Sequence, residues 1–176
     1  TVEGAVKRGF INYEGISTII EMTRLKLLFV LCFMSLMWKV KSQPDHKQWS
    51  HVLTTYVTPE GLVNYSQLKK NSSELNKYLN QLKQYQPDES WSKQETMAYW
   101  INAYNAYTIK LILEYYPVRS IKDIKKPWNQ KFIPYDNGLI SLHEIEHDIL
   151  RRMGDPRIHF AIVCASKSCP NLKNEA

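Results

Sequence analysis

The chain has 176 residues, 44% of them hydrophobic and 23% charged, a balance found in globular chains and not in disordered or collagen-like ones. Three cysteines are too few for a disulfide scaffold, and no apolar run reaches the roughly 18 residues that a membrane-spanning helix requires, so a multispan membrane protein is excluded. The formal charge of +6 is spread along the chain: residues 1–42 hold six basic and three acidic side chains, which leaves 17 basic and 14 acidic beyond them, net +3 in each part. Nucleic-acid readers concentrate positive charge on one face, so no nucleic-acid partner is expected.

From Met22 the sequence reads MTRLKLLFVLCFMSLMWKVKSQ, in which Arg24 and Lys26 precede twelve uncharged residues, Leu27 to Trp38. These are signal-peptide proportions, with an apolar run inside the usual span of about 7 to 15 residues. Val40-Lys41-Ser42 offers a cleavage site before Gln43, and Cys32 would leave with the leader. The division expected is therefore an upstream or non-native segment at 1–21, a signal peptide at 22–42 and a single domain at 43–176. The alternative is an uncleaved membrane anchor. Export to a periplasmic or extracellular compartment follows, with no stable span beyond the leader, and an oxidising compartment permits Cys164 and Cys169 to pair.

In the exported part, a first helix is expected over His46 to Val57, with Trp49, Val52, Leu53 and Tyr56 on one face. Pro59-Glu60-Gly61 then turns the chain, and Leu62 to Tyr65 reads as a short strand. Asn71, with Glu74 three residues later, is the expected cap of a helix whose Leu75, Tyr78, Leu79 and Leu82 recur at helical spacing. The strongest local signal follows: Ser92 with Glu95 forms a capping box, and the helix runs to Tyr116, where Pro117 stops it. Apolar runs around Asp136-Asn137-Gly138 predict a hairpin, with Pro134 confining the first arm to an edge. Ser141 with Glu144 caps a further helix ending at Gly154. Ile158 to Cys164 is apolar on both faces and reads as a covered, central strand. The fold class expected is α+β, mainly helical with a small sheet.

Three apolar surfaces carry polar residues. Asn102 and Asn105 lie one turn apart within the apolar face of the long helix, and buried amides need partners, because an unsatisfied one costs about 1 to 3 kcal/mol. Glu146 projects between Met153 and Leu150, where a carboxylate must meet a cation, accept hydrogen bonds or take up a proton. His159 lies on the expected strand, ahead of Cys164-Ala165-Ser166-Lys167-Ser168-Cys169-Pro170, whose small residues at a strand end mark a binding loop. Pro170 as the first residue of a helix would place Cys169 at its N-cap, where the dipole lowers a thiol pKa.

The segments Ala98 to Thr108, Ile145-Glu146-His147 and Arg157 through Pro170 resemble domain-of-unknown-function family 547 over residues 95–176. The resemblance implies a domain found in exported bacterial proteins and in plant and animal ones, with no transferable reaction. Family members continue past the cysteine-proline motif, which implies a fold truncated at the C-terminus. Its motifs fall on Asn102, Asn105, Glu146, His159 and Cys169, the positions that periodicity had already singled out.

Three functions compete. The sharpest is a thiol-dependent hydrolase or acyl-transfer enzyme with Cys169 as nucleophile, His159 as base and Glu146 or Asn102 orienting the imidazole, which pairing with Cys164 would silence. A second is a zinc hydrolase on His143-Glu144-Ile145-Glu146-His147, although Ser141 puts His143 in the first turn and no third histidine follows. The third is a noncatalytic binding or interaction module in which the Asn102 and Asn105 amides and the Glu146 carboxylate fix a pocket for a small polar or peptide ligand; the binding contacts expected are Asn105, Ser166 and Ser168. No cofactor and no metal are expected.

Overall fold

Ser92 and Glu95 set the start of the element around which the domain is built. The Ser92 hydroxyl accepts from the Glu95 N–H, and the Glu95 carboxylate accepts from the Ser92 N–H at 2.8 Å. The resulting helix, Lys93–Tyr115, is buried almost all round through its middle, from Tyr99 to Leu113. The structure, a computed structural model, describes residues 13–37, 43–166 and 169–176. The chain divides into two units, 1–42 and 43–176.

The first unit contains helix α1, Tyr13–Met37, with Leu25, Leu28 and Phe29 exposed. No helix among the described residues is long and apolar enough to cross a membrane. The expected cleavage point at Val40 to Ser42 lies outside the described residues.

In the second unit, α2 is His46–Tyr56, α3 is Tyr65–Lys70, α4 is Ser73–Gln84 and α5 is the central Lys93–Tyr115 helix. Helix α5 packs against α2, α3 and α4. Trp49 of α2 stacks on Tyr78 of α4 at 5.5 Å, and the Tyr99 hydroxyl of α5 donates to the Leu82 carbonyl at 2.7 Å, which fixes the α4–α5 register. The predicted faces are buried: Trp49, Val52 and Leu53 of α2, and Leu75, Tyr78, Leu79 and Leu82 of α4.

Strands β1, Ile133–Tyr135, and β2, Gly138–Ile140, form the predicted hairpin, with Ile133 opposite Ile140. The second capping box, Ser141 with Glu144, opens a helical run over 142–153 that we call α6. It is one α turn, then a π segment Ile145–Leu150, then a 3₁₀ turn Arg151–Met153, closed by Gly154 in the left-handed region. The domain is thus mainly helical α+β with a small antiparallel sheet.

Four local expectations are corrected. Leu62 to Tyr65 makes only a bridge, Val63 with Val57, because Asn64 accepts from the Gln67 N–H and starts α3. Asn71 is the C-cap of α3, and Ser72 precedes α4. Residues 158–164 are not a strand: Ile158–Ala161 is a helical turn, α7, followed by extended backbone. The Asp155 carboxylate accepts from the Arg157 N–H at 3.0 Å and so caps a turn just where the β-branched run begins. Pro170 starts no helix, so Cys169 has no helix dipole behind it.

The two capping boxes predict an acid transition. Hydrogen bonds from Gln43 and Ser92 hold the Glu95 carboxyl at about 2, and those from Ser141 and Lys131 hold Glu144 at about 2, both below the ordinary 4.5. A lowered folded-state pKa gives stability that is complete above the unfolded value and lost as pH falls through the folded one. Urea midpoints are therefore expected to fall from pH 4.5 toward pH 2, and Glu95→Gln is expected to flatten part of that slope. An unchanged slope in the variant would remove Glu95 from the account.

Candidate functional site

Asn105 does the work of a missing strand. Its Nδ2 donates to the Ala161 carbonyl at 2.9 Å, and its Oδ1 accepts from the Val163 N–H at 2.8 Å. A carbonyl and the N–H two residues later are the pair that a parallel neighbour would engage. One buried side-chain amide thus satisfies the backbone just after α7 and holds the extended segment on α5. Thr108, one turn on, donates to its own helix, to the Tyr104 carbonyl at 2.7 Å.

Beyond Val163 a disulfide joins Cys164 to Cys169, with Cα atoms 6.0 Å apart. The Cys164 N–H points at Cys169 Sγ at 3.2 Å, and Ser166 Oγ lies 3.3 Å from Cys164 Sγ and 3.7 Å from Cys169 Sγ. Closing so short a loop restrains the unfolded chain by about 2 kcal/mol, against nearly 5 for a loop of about 100 residues. After the disulfide, Asn171 and Leu172 cross the turn between α2 and α3. Gly61 permits this approach: its φ is +83°, and a Cβ there would lie 2.8 Å from Asn171 Cβ and 2.9 Å from the Leu172 nitrogen.

These contacts enclose a cleft of about 330 Å³ between Gly61 to Val63 and Tyr65, the α5 residues Asn105, Thr108 and Ile109, and, from the C-terminal segment, Val163, Ala165, Ser166 and Cys169 to Leu172. Its walls are mostly apolar, with Leu62, Val63, Ile109, Val163 and Leu172 contributing. Tyr65 lines it, stacked on Tyr116 at 6.4 Å, and burial pushes its phenol well above the ordinary range. The Tyr65 hydroxyl has no hydrogen-bond partner among the described residues.

A second polar cluster lies where α5 meets α6. Glu146 Oε2 accepts from the Tyr104 hydroxyl at 3.3 Å, and Oε1 accepts from Arg151 Nη2 at 2.7 Å. Arg151 Nη1 lies 3.4 Å from His159 Nε2, and His147 Nε2 lies 3.8 Å from Glu146 Oε1. Burial first, and then the neighbouring carboxylate, push the Tyr104 phenol up. Of the routes open to a carboxylate in an apolar face, Glu146 takes two, a cation and an accepted hydrogen bond.

The expected site residues thus separate into two groups. Asn105, Ser166 and Cys169 line the cleft. Glu146 and His159 meet through Arg151, and His159 is exposed on α7. Asn102 is buried, 6% exposed, but no hydrogen bond joins it to either, and its amide has no partner among the described residues. Ser168 lies outside the described residues. No hydrogen bond links His159 to Cys169, whose sulfur is bonded to Cys164, so the nucleophile–base pair expected from the sequence is not formed. His143 and His147 face each other at 4.3 Å between ring centroids. Glu144, however, is engaged by Ser141 and Lys131, and no three His, Cys, Asp or Glu among the described residues are placed to hold a metal ion.

Sequence reasoning missed Gly61, Leu62, Tyr65 and Leu172 in the cleft, and Tyr104 and Arg151 at Glu146. Arg151 is five residues from Glu146, a spacing that pairs on a π turn and not on an α-helix. The turn at Pro59-Glu60-Gly61 was visible, but what crosses it was not.

Fold and site together define a mainly helical α+β domain with a cleft walled on one side by a disulfide loop. Residues 89–175, just under half of the chain, match the family described as protein of unknown function, DUF547. Comparison with curated proteins and with solved structures gave no match.

Proposed function

We propose that residues 43–176 form a ligand-binding domain that takes a small molecule or an apolar peptide side chain into the cleft beside Asn105. The observation that carries this reading is the cleft itself: its volume, about 330 Å³, lies at the lower end of ligand sites of about 300 to 1,000 Å³, which are apolar with a few polar groups. Asn105 and Thr108 spend their hydrogen bonds on backbone. Tyr65, whose hydroxyl has no hydrogen-bond partner among the described residues, is placed with Asn171 to orient a ligand. A thiol-dependent hydrolase on Cys169, His159 and Glu146 draws less support, since the thiol is paired and the histidine bonds elsewhere. A zinc hydrolase draws less again, because Glu144 is committed to its cap.

The probes are N-acetyl amino-acid amides with apolar side chains, titrated into the ¹⁵N-labelled full chain. Amide shifts are expected at Val63, Thr108, Val163 and Leu172. Tyr65→Phe is expected to weaken binding about fivefold, the value of one hydrogen bond, without loss of thermal stability. Millimolar probe with no shift at these positions would overturn the proposal.

A further inference from the structure

We infer that the Cys164–Cys169 disulfide is a thiol–disulfide exchange site opening on the cleft, with a dithiol as co-reactant and Cys169 Sγ as the sulfur attacked. Both cysteines are partly exposed, and Cys169 lines the cleft whereas Cys164 is not among its lining residues. A nucleophile seated in the cleft therefore reaches Cys169 first. The Cys164 N–H, 3.2 Å from Cys169 Sγ, draws electron density from the attacked atom. Ser166 Oγ, 3.3 Å from Cys164 Sγ, is placed to donate to the thiolate that leaves, and a better-stabilised leaving thiolate departs faster. Both flanks of the loop are anchored independently of the disulfide, Val163 by Asn105 and Leu172 against Gly61. Opening the bond leaves the two sulfurs near each other, ready to close again.

One thiolate of the dithiol forms a bond to Cys169 Sγ, the Cys164–Cys169 bond breaks, and its electron pair goes to Cys164 Sγ, which takes up a proton. The second thiolate of the co-reactant then attacks its own sulfur in the mixed disulfide and releases Cys169, which is protonated in turn. The protein gains two electrons and two protons, and the dithiol leaves as its cyclic disulfide.

This inference rests on the cleft proposed above and is tested on the native full chain. After incubation with the monothiol 2-mercaptoethanol and quenching with iodoacetamide, peptide mass spectrometry is expected to find the mixed disulfide on Cys169 and the carbamidomethyl group on Cys164, in about tenfold excess over the reverse pattern. Dithiothreitol is expected to reduce the bond in native buffer with the circular dichroism unchanged, and Ser166→Ala to slow reduction about three- to tenfold. Adducts on Cys164, an even distribution, or reduction only in urea would overturn the exchange site. Shifts from the amide probes in a chain that resists exchange would overturn this inference alone, and loss of both would overturn both.

Discussion

Replacing Asn105 by Ala is expected to destabilise the domain by about 2 to 6 kcal/mol, because two backbone groups lose their partners at once and each unsatisfied group costs about 1 to 3 kcal/mol. The groups are the Ala161 carbonyl and the Val163 N–H. The loss falls on the cleft wall as well as on global stability, since Val163 faces the cleft. Asn105→Asp separates the two bonds. An ionised carboxylate still accepts from Val163 but repels the Ala161 carbonyl, whereas a protonated one donates to it. Its folded-state pKa is thus expected above the unfolded value, so its contribution is present at low pH and lost as pH rises through the folded value. Thermal melts of the Asp variant should improve between pH 7 and pH 5, while those of the Ala variant should not. Two variants with the same pH profile would mean that the amide is not acting through this pair of bonds.

Gly61→Ala is the second large effect. A left-handed conformation costs a non-glycine residue about 1 to 2 kcal/mol, and overpacking adds about 1 to 3. The new Cβ would stand 2.8 Å from Asn171 Cβ and 2.9 Å from the Leu172 nitrogen, and backbone cannot swing aside as a flexible side chain does. The segment carrying Leu172, buried at 7% exposure, is expected to lift away, with faster amide exchange at Leu172 and weaker binding of the amide probes. Gly154→Ala is the control. Its φ is +72° and nothing lies within 4 Å of the added Cβ, so only the conformational cost should appear. Equal losses in the two variants would show that the crossing at Gly61 carries no steric load.

Much of the helical fold was legible because its signals are local. Capping boxes at Ser92 and Ser141, the Gly154 stop, the Asp136-Asn137-Gly138 turn and the α4 stripe each depend on residues a few positions apart. The elements that failed depend on distant partners or on departures from the 3.6-residue turn. In α6 the buried residues are Leu142, Ile145 and Leu150, and the five-residue step between the last two is a π spacing that a 100° projection places on the wrong face. The run from Ile158 has strand composition, yet the Asp155 cap coils its start and a single asparagine supplies what a neighbouring strand would. The two amides of α5 were flagged as buried polar groups, and both are buried. Which backbone Asn105 would hold was not visible, because Ala161 and Val163 are more than fifty residues away.

The crossing at Gly61 also has a meaning for biosynthesis. A chain growing from the ribosome exposes the α2–α3 turn long before residue 172 has been made, and the entropy of joining such remote points is recovered only when both are present. Helical segments from Lys93 to Tyr115 are free to coil early, but the hollow beside them has no far bank until translation has passed Cys169. Occupancy by any ligand is thus a property acquired late and in one step, which makes it a sensitive reporter of whether maturation has finished.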